Sequence, residues 1–532
     1  MATVYVWNSA GKLLDEVLFV QAIQGITSRE KPLVYIMFPE KYEPYNLWLG
    51  ETQKKYGFET AEVTDIWELA DKFKDKLNGY VLYPQAGTQT MNYAATLAGV
   101  LDALPITPRL KAAAESCGFK LLKNADEYTG IDKIISEYGG CLNKKMFLNQ
   151  DPQDFALRDY GIKHKSLIVC PPEQAGLDLV YDFVEPNAVL FGWYTAGQGG
   201  EIGGVHSSSL KQVITIASDH SMNMSFLEEK SSKVFEQKKP VDNSLKAEPG
   251  KHYIAFVYSD GDNVQWMLNS FPVDPKRFAH DKSEKIPFGW SMSPGLADFA
   301  PSVLDYTYKT AAPTDNFVAA VSGYGYIHPG KYYDINALNE FGELTAEYMK
   351  RTDLHYTEIL EENGINGDAV EQKETVWNAY TRNNQIKGIL YKTGDRYVAG
   401  RGFLKWSNNK PVVAFRETLW TLPDSENTNI GKTANESIYK MAYRISQYDK
   451  NYQSINGYTL INVHAWSHDY ESVKKLTNWL KEYDSDVVVV TPDTLMRLIA
   501  ENAEKTDTLP NKNWNDTWDY SSVAHLYGKE GA

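Results

Sequence analysis

Short apolar runs recur along the chain, and between most of them the apolar positions space out at the three-to-four-residue interval of an amphipathic helix. TVYVW is followed by the helical LLDEVLFVQAIQGI and by PLVYIMF, and TAEVT, a charged helix around 66–77 and GYVLYP continue the alternation. Strands alternating with helices over short links predict parallel sheets covered by helices. Residues 1–143 therefore read as N-terminal α/β units of Rossmann-like or flavodoxin-like layout, and 144–234 as a third, carried by KSLIVCP, AVLFGWY and VITIASD. No glycine-rich phosphate fingerprint follows any of these strands, so nothing there calls for a dinucleotide. Between AVLFGWY and VITIASD lies AGQGGEIGGVHSSS, which holds Glu201 and His206 and reads as a long surface loop or a lip reaching toward a site.

Residues 235–251 combine charge, proline and glycine without periodicity, the composition of a linker. From His252 the rhythm is strand, polar cluster, helix, with strands predicted at 253–258, 288–290, 317–321, 355–359, 386–391, 412–415, 458–463 and 487–490. Seven or eight parallel strands in about 250 residues is the size of a (β/α) barrel, regular or slightly open, so 252–506 is expected to be one, with 507–532 folding back as a strap. The residues just past each barrel strand share one rim, where loops held by strand ends build sites.

That rim supplies the candidate chemistry. Asp260 and Asp262, in SDGDN after the first barrel strand, can point the same way and share a proton, hold a cation or position a hydroxyl. Glu417 ends VVAFRE with Trp420 close by, and apolar cover makes a carboxyl a candidate general acid, the alternative being a structural pair with Arg416. Glu358 and Asp395 are lesser candidates on neighbouring strand ends. His464 and His468 flank Trp466 in NVHAWSHD, a spacing of four that suits metal ligands on a helix but begins here at a strand end. Asn263, Trp290, Tyr324, Tyr326, His328, His464 and Trp466 would line the cleft, aromatic faces packing on sugar rings.

Composition narrows the partners. A formal charge of −15 over 532 residues leaves no basic stripe for a nucleic acid. Aromatics at 13%, with 35 Tyr and 13 Trp, suit either sugar stacking or many half-buried surfaces. Cys117, Cys141 and Cys170 match no zinc spacing and read as small buried apolar residues. No run of about 18 apolar residues would span a membrane, and no signal peptide is visible before the first strand.

One stretch carries a family likeness. FVAAVSGYGYIHPG, residues 317–330, reads as a strand opening into a rigid aromatic loop, and it resembles the signature of the GxGYxYP putative glycoside hydrolase family. Gly323, Gly325, Tyr326 and Pro329 are in place, while His328 stands where the pattern has its second aromatic. QAIQGITSREKPLVYI and YSDGDN extend the likeness over nearly the whole chain. The resemblance implies an exported protein, secreted, periplasmic or at the cell surface, acting as a glycoside hydrolase on carbohydrate; in that reading the rim carboxylates Asp260, Asp262 and Glu417 are the catalytic groups and no cofactor is required. YSDGDN is also similar to the opening motif of polysaccharide deacetylases, which keeps a divalent-metal deacetylase as an alternative. A non-catalytic glycan-binding protein is the other.

Overall fold

The computed structural model describes residues 2–38, 44–230, 232–259, 264–361, 369–421 and 437–526, with the side chains of 369–373, 395 and 526 outside that description. Two compact units emerge, one of Met1–Ser231, Val264–Ser270 and Leu296–Tyr306, the other of Ser232–Asn263, Phe271–Gly295 and Thr307–Ala532. The expected boundary at 252 is thus crossed twice by short helical pieces, and the indole N–H of Trp48 donates to the carbonyl of Leu268 at 2.6 Å within the first unit.

The first unit holds three parallel sheets. Strands β1 (Thr3–Asn8), β2 (Val34–Met37) and β3 (Glu59–Val63) are ordered β2-β1-β3, and β4 (Gly79–Leu82), β5 (Ala103–Ile106) and β6 (Leu121–Asn124) are ordered β5-β4-β6. Strands β7 (Met146–Asn149), β8 (Leu167–Val169), β9 (Val189–Gly192) and β10 (Ile214–Ala217) form the third, ordered β10-β9-β7-β8. Each is a small helix-covered sheet of the kind the alternation predicts. The Glu201 to His206 stretch corrects its reading as a loop: it is a helix, Gly200–Leu210. Gly204 allows this, because a Cβ there would lie 2.2 Å from the Tyr194 ring on which the helix packs. Cys141 is exposed, against the expectation of burial, and Cys117 and Cys170 are half-buried.

The second unit is one sheet. Its strands are β11 (His252–Tyr258), β12 (Phe288–Met292), β13 (Asp315–Ala319), β14 (Tyr356–Glu361), β15 (Gly388–Thr393), β16 (Leu404–Ser407), β17 (Lys410–Ala414), β18 (Glu417–Leu419), β19 (Tyr458–Val463) and β20 (Val487–Val489). The order is β16-β17-β15-β14-β13-β12-β11-β19-β18, with β20 also on β11. Every pairing is parallel except the hairpin of β16 with β17. All residues of β11, β14, β15 and β19 are buried, as near-continuous apolar strands covered on both faces should be. Each buried Val, Leu or Phe contributes about 1.5–3 kcal/mol. All eight predicted strands fall on observed ones, while β16 and β18 were not foreseen.

The barrel expected, regular or slightly open, is not closed in this pairing. β17 and β18 are successive pieces of one chain segment that changes partner: the Phe415 N–H donates to Tyr391 O and the Arg416 N–H to Leu460 O. The ladder is interrupted there. Helix Pro492–Asn502 covers the sheet with Leu495, Met496 and Ile499, in one apolar cluster with Val318, Leu390, Val413 and Leu460.

Residues 235–251 carry no helix or strand, as their composition predicts, yet they are docked along the second unit. Phe235 is buried and its N–H meets Arg351 O at 2.7 Å, Asp242 accepts from Thr491 N at 2.6 Å, and Arg497 donates to Leu245 O at 2.8 Å. Residues 507–526 also lie on this unit, where Thr508 and Leu404 exchange backbone bonds of 2.9 Å and the Trp514 indole reaches Val398 O at 3.2 Å.

Candidate functional site

Because the strands of the second unit run parallel, their carboxyl ends lie along one edge. Register sets the level: Tyr258 pairs with Val463 and Trp290, Glu361 with Thr393, and Leu419 with Val463. The residues that follow, from Ser259 to Trp420 and His464, are therefore neighbours in space although far apart in sequence.

At this edge the Lys392 ammonium and a Glu358 carboxylate oxygen are 2.6 Å apart, with 3% and 1% of their side chains exposed. Lys392 also lies 5.1 Å from the Tyr397 ring centre and 5.3 Å from that of Phe415. Such a pair survives only with good geometry, since burying each ion costs several kcal/mol (roughly) before the attraction returns it. Beside it the His464 imidazole stacks on the Trp420 indole, centroids 3.7 Å apart and planes 8° from parallel, and Tyr397 meets Trp420 edge-on at 5.0 Å. Burial, then the neighbouring His468 and Lys392, push His464 down to about 3, so it is neutral at pH 7. Burial likewise brings His468 down to about 4.

The stack is braced by short-range bonds between the two chain segments that carry it. The His464 N–H donates to Leu419 O at 2.9 Å, the Thr421 N–H to Ser467 Oγ at 3.1 Å, and Thr421 Oγ1 lies 3.1 Å from His468 Nε2. Ser467 Oγ is also 2.8 Å from His464 Nδ1. Arg396 and Tyr397 both have positive φ, 48° and 68°, an uncommon backbone for two successive non-glycine residues that presents the Tyr397 ring to Trp420.

The predicted residues divide. Asp260, Asp262 and Asn263 lie outside the described residues, as does the side chain of Asp395; the described chain ends on that side at Ser259, whose N–H bonds to Val463 O. Glu417 is 1% exposed and held in a fork by Arg444, Nε to Oε1 at 2.9 Å and Nη2 to Oε2 at 2.6 Å, with the Tyr448 hydroxyl also on Oε1. Its reading as an acid facing a cleft is corrected to a core ion pair, and the partner is Arg444 rather than Arg416. Arg416 turns instead to backbone carbonyls, including that of Lys512 at 3.1 Å. Trp290 is corrected too: it is fully buried among Tyr258, Phe271 and Phe288, its indole N–H donating to Asp315 at 2.9 Å.

The GxGYxYP stretch folds as a loop packed against its neighbours. Gly323 has φ of 105°, and a Cβ on it would lie 2.5 Å from Thr345 of helix Ile335–Arg351. Tyr324 is buried with its ring 4.7 Å from Tyr348 of that helix, so it fastens the loop to the helix and does not line a cleft. Tyr326 is half-buried with its ring 5.6 Å from that of His328, which is buried with Nδ1 3.3 Å from Leu360 O. The Gly330 N–H then donates to Glu361 at 2.8 Å, seating the loop on the end of β14. Trp466 is 67% exposed. Lys392 and Tyr397 were missed and Trp420 was noted only as cover for Glu417; the available signal was KTGDRY and RETLW at predicted strand ends.

Residues 250–500 match a family model described as the "GxGYxYP putative glycoside hydrolase C-terminal domain", residues 3–75 that of the family's first domain, and 144–229 that of its third. The chain belongs to the GxGYxYP family. Its likeness in fold extends to a crystal structure described as a putative hydrolase from Bacteroides thetaiotaomicron, 24% identical, with a TM-score of 0.81 over 94% of this chain and 95% of that one. No curated protein matches the chain. Among the described residues no helix is long and apolar enough to cross a membrane.

Proposed function

We propose that this GxGYxYP protein is a glycoside hydrolase whose substrate lies across the carboxyl edge of the second unit's sheet. The observation that carries the reading is the convergence there of the Glu358–Lys392 pair with the braced Trp420–His464 stack. We read the edge as the rim of an irregular (β/α) barrel that closes through residues 410–419. In this reading the exposed part of Trp420 packs on the CH-rich face of a sugar ring, and neutral His464 and Tyr397 reach its hydroxyls. Asp260 and Asp262, one residue beyond Ser259 and three beyond it, supply the acid and the base or nucleophile. A separation of about 5 Å between the working carboxyls would give retention and about 6.5–9.5 Å inversion. The left-handed backbone at Arg396–Tyr397 supports a site here, since strained backbone gathers where geometry is held for function.

The test is release of reducing ends from a panel of oligosaccharides, some acetylated, with and without chelator, by wild type, Asp260→Asn, Asp262→Asn and Trp420→Ala. Chelator-resistant release lost in the Asp variants supports the reading. Release of acetate alone, restored by zinc, replaces it with a deacetylase, and saturable binding without turnover replaces it with a glycan-binding protein.

A further inference from the structure

We propose that Ser467 is a positioning residue: its hydroxyl donates to His464 Nδ1, so the imidazole meets the substrate as an Nε2–H donor and faces an oxygen acceptor on the sugar. The inference rests on the function proposed above for where substrate lies, and adds which ring atom answers it. Residues 464 and 467 come together because the chain turns as it leaves β19, the Ser467 and His468 N–H groups both donating to His464 O, at 3.2 and 2.9 Å. Such a turn sets side chains three apart on one side, and it brings Ser467 Oγ to 2.8 Å from His464 Nδ1.

Two constraints act on the ring, and they do different things. The Trp420 stack, 3.7 Å between centroids and 8° from parallel, fixes the plane of the imidazole but treats its two nitrogens alike. The Ser467 contact tells them apart. Its oxygen accepts the Thr421 N–H at 3.1 Å and lies 2.8 Å from Nδ1, and these are its two partners among the described residues. A hydroxyl has one proton to give and lone pairs to receive with. Were Nδ1 protonated, the oxygen would receive two N–H groups and its own proton would have no acceptor among those residues. With Nδ1 bare every group of the trio is matched, so the proton of the neutral ring sits on Nε2. The pair is not a nucleophile and its base: burial first, then His468 and Lys392, bring the ring down to about 3, too weak a base to take a serine proton at neutral pH.

The test is nitrogen NMR of the full chain labelled at its histidine rings, with the signals of residue 464 identified by their loss in His464→Gln. At neutral pH the wild type should show a bare Nδ1 and a protonated Nε2. Ser467→Ala should move the Nδ1 signal toward that of a nitrogen without a hydrogen bond, and Ser467→Thr should keep it, thermal unfolding confirming that both variants fold. In oligosaccharide turnover Ser467→Ala should raise KM by about three- to tenfold, the scale of one hydrogen bond, with kcat within about twofold, and Ser467→Thr should restore it. A protonated Nδ1 in the wild type, or an Nδ1 signal that Ser467→Ala leaves in place, overturns the proposal whether or not any glycan is cleaved. A wild type that cleaves none removes the function proposed above instead, and the nitrogen signals still decide the role of Ser467. Turnover with KM unmoved in Ser467→Ala overturns the contact between His464 and substrate.

Discussion

Replacing Glu417 separates a structural carboxylate from a catalytic one. In the folded protein both its oxygens are engaged by Arg444, whose side chain is itself only 3% exposed. Glu417→Ala therefore removes the carboxylate forked onto this guanidinium in the core, where the Tyr520 hydroxyl, 2.8 Å from Nη1, is among its other partners. Breaking one side of a buried pair costs about 3–5 kcal/mol, beyond the packing lost with the side chain. At about 2–4 °C per kcal/mol for a unit of this size, calorimetry should show Tm falling by roughly 10 °C. Glu417→Met combined with Arg444→Met removes both charges and should be milder than either single change, because no ion is left unpaired. Turnover per folded molecule, measured well below the lowered Tm, should stay within about threefold of wild type, since Glu417 is assigned no contact with substrate. An unchanged Tm with turnover abolished would refute this reasoning and return Glu417 to the catalytic set.

Other expectations follow from the same geometry. Glu358→Gln leaves Lys392 without its carboxylate and should cost about 3 kcal/mol in urea unfolding while also impairing turnover at the proposed edge; full stability would mean that the pair does not hold the site. His252 is buried with Nδ1 2.8 Å from Asp449 O and Nε2 3.0 Å from Thr459 Oγ1, and burial brings it down to about 3 from an ordinary 6.5. The unfolded chain thus binds a proton there that the folded chain refuses, so stability is lost as pH falls from about 6.5 toward 3, by roughly 2 kcal/mol at pH 5. Urea midpoints at pH 7 and pH 5 should differ less in His252→Gln than in wild type, and an equal difference would count against that assignment. Gly323→Ala meets both a positive φ and Thr345, and should lower stability by about 2 kcal/mol or more; a neutral effect in thermal unfolding would show that the loop can shift.

Much of this architecture was present in local pattern. The alternation of strand and helix, the strand positions of the second unit and the glycine-bearing loop at 323–330 follow from side-chain period and from where a Cβ is tolerated, and these are properties of neighbouring residues. The likeness to the GxGYxYP family was equally legible, because its motif is contiguous. What pattern could not supply was partnership across distance. Glu417 and Trp290 have the sequence context of site residues, yet Arg444 and Asp315, contributed by other elements, turn them inward. Lys392, Tyr397, Trp420 and His464 become one cluster only because β14, β15, β18 and β19 end at the same level. Even the docking of 235–251, unreadable in a segment without periodicity, depends on Arg351, Thr491 and Arg497 brought to it by the fold. Sequence sets which face a side chain prefers; only the packed sheet decides which charge or ring stands opposite it, and that opposition decides between core and site.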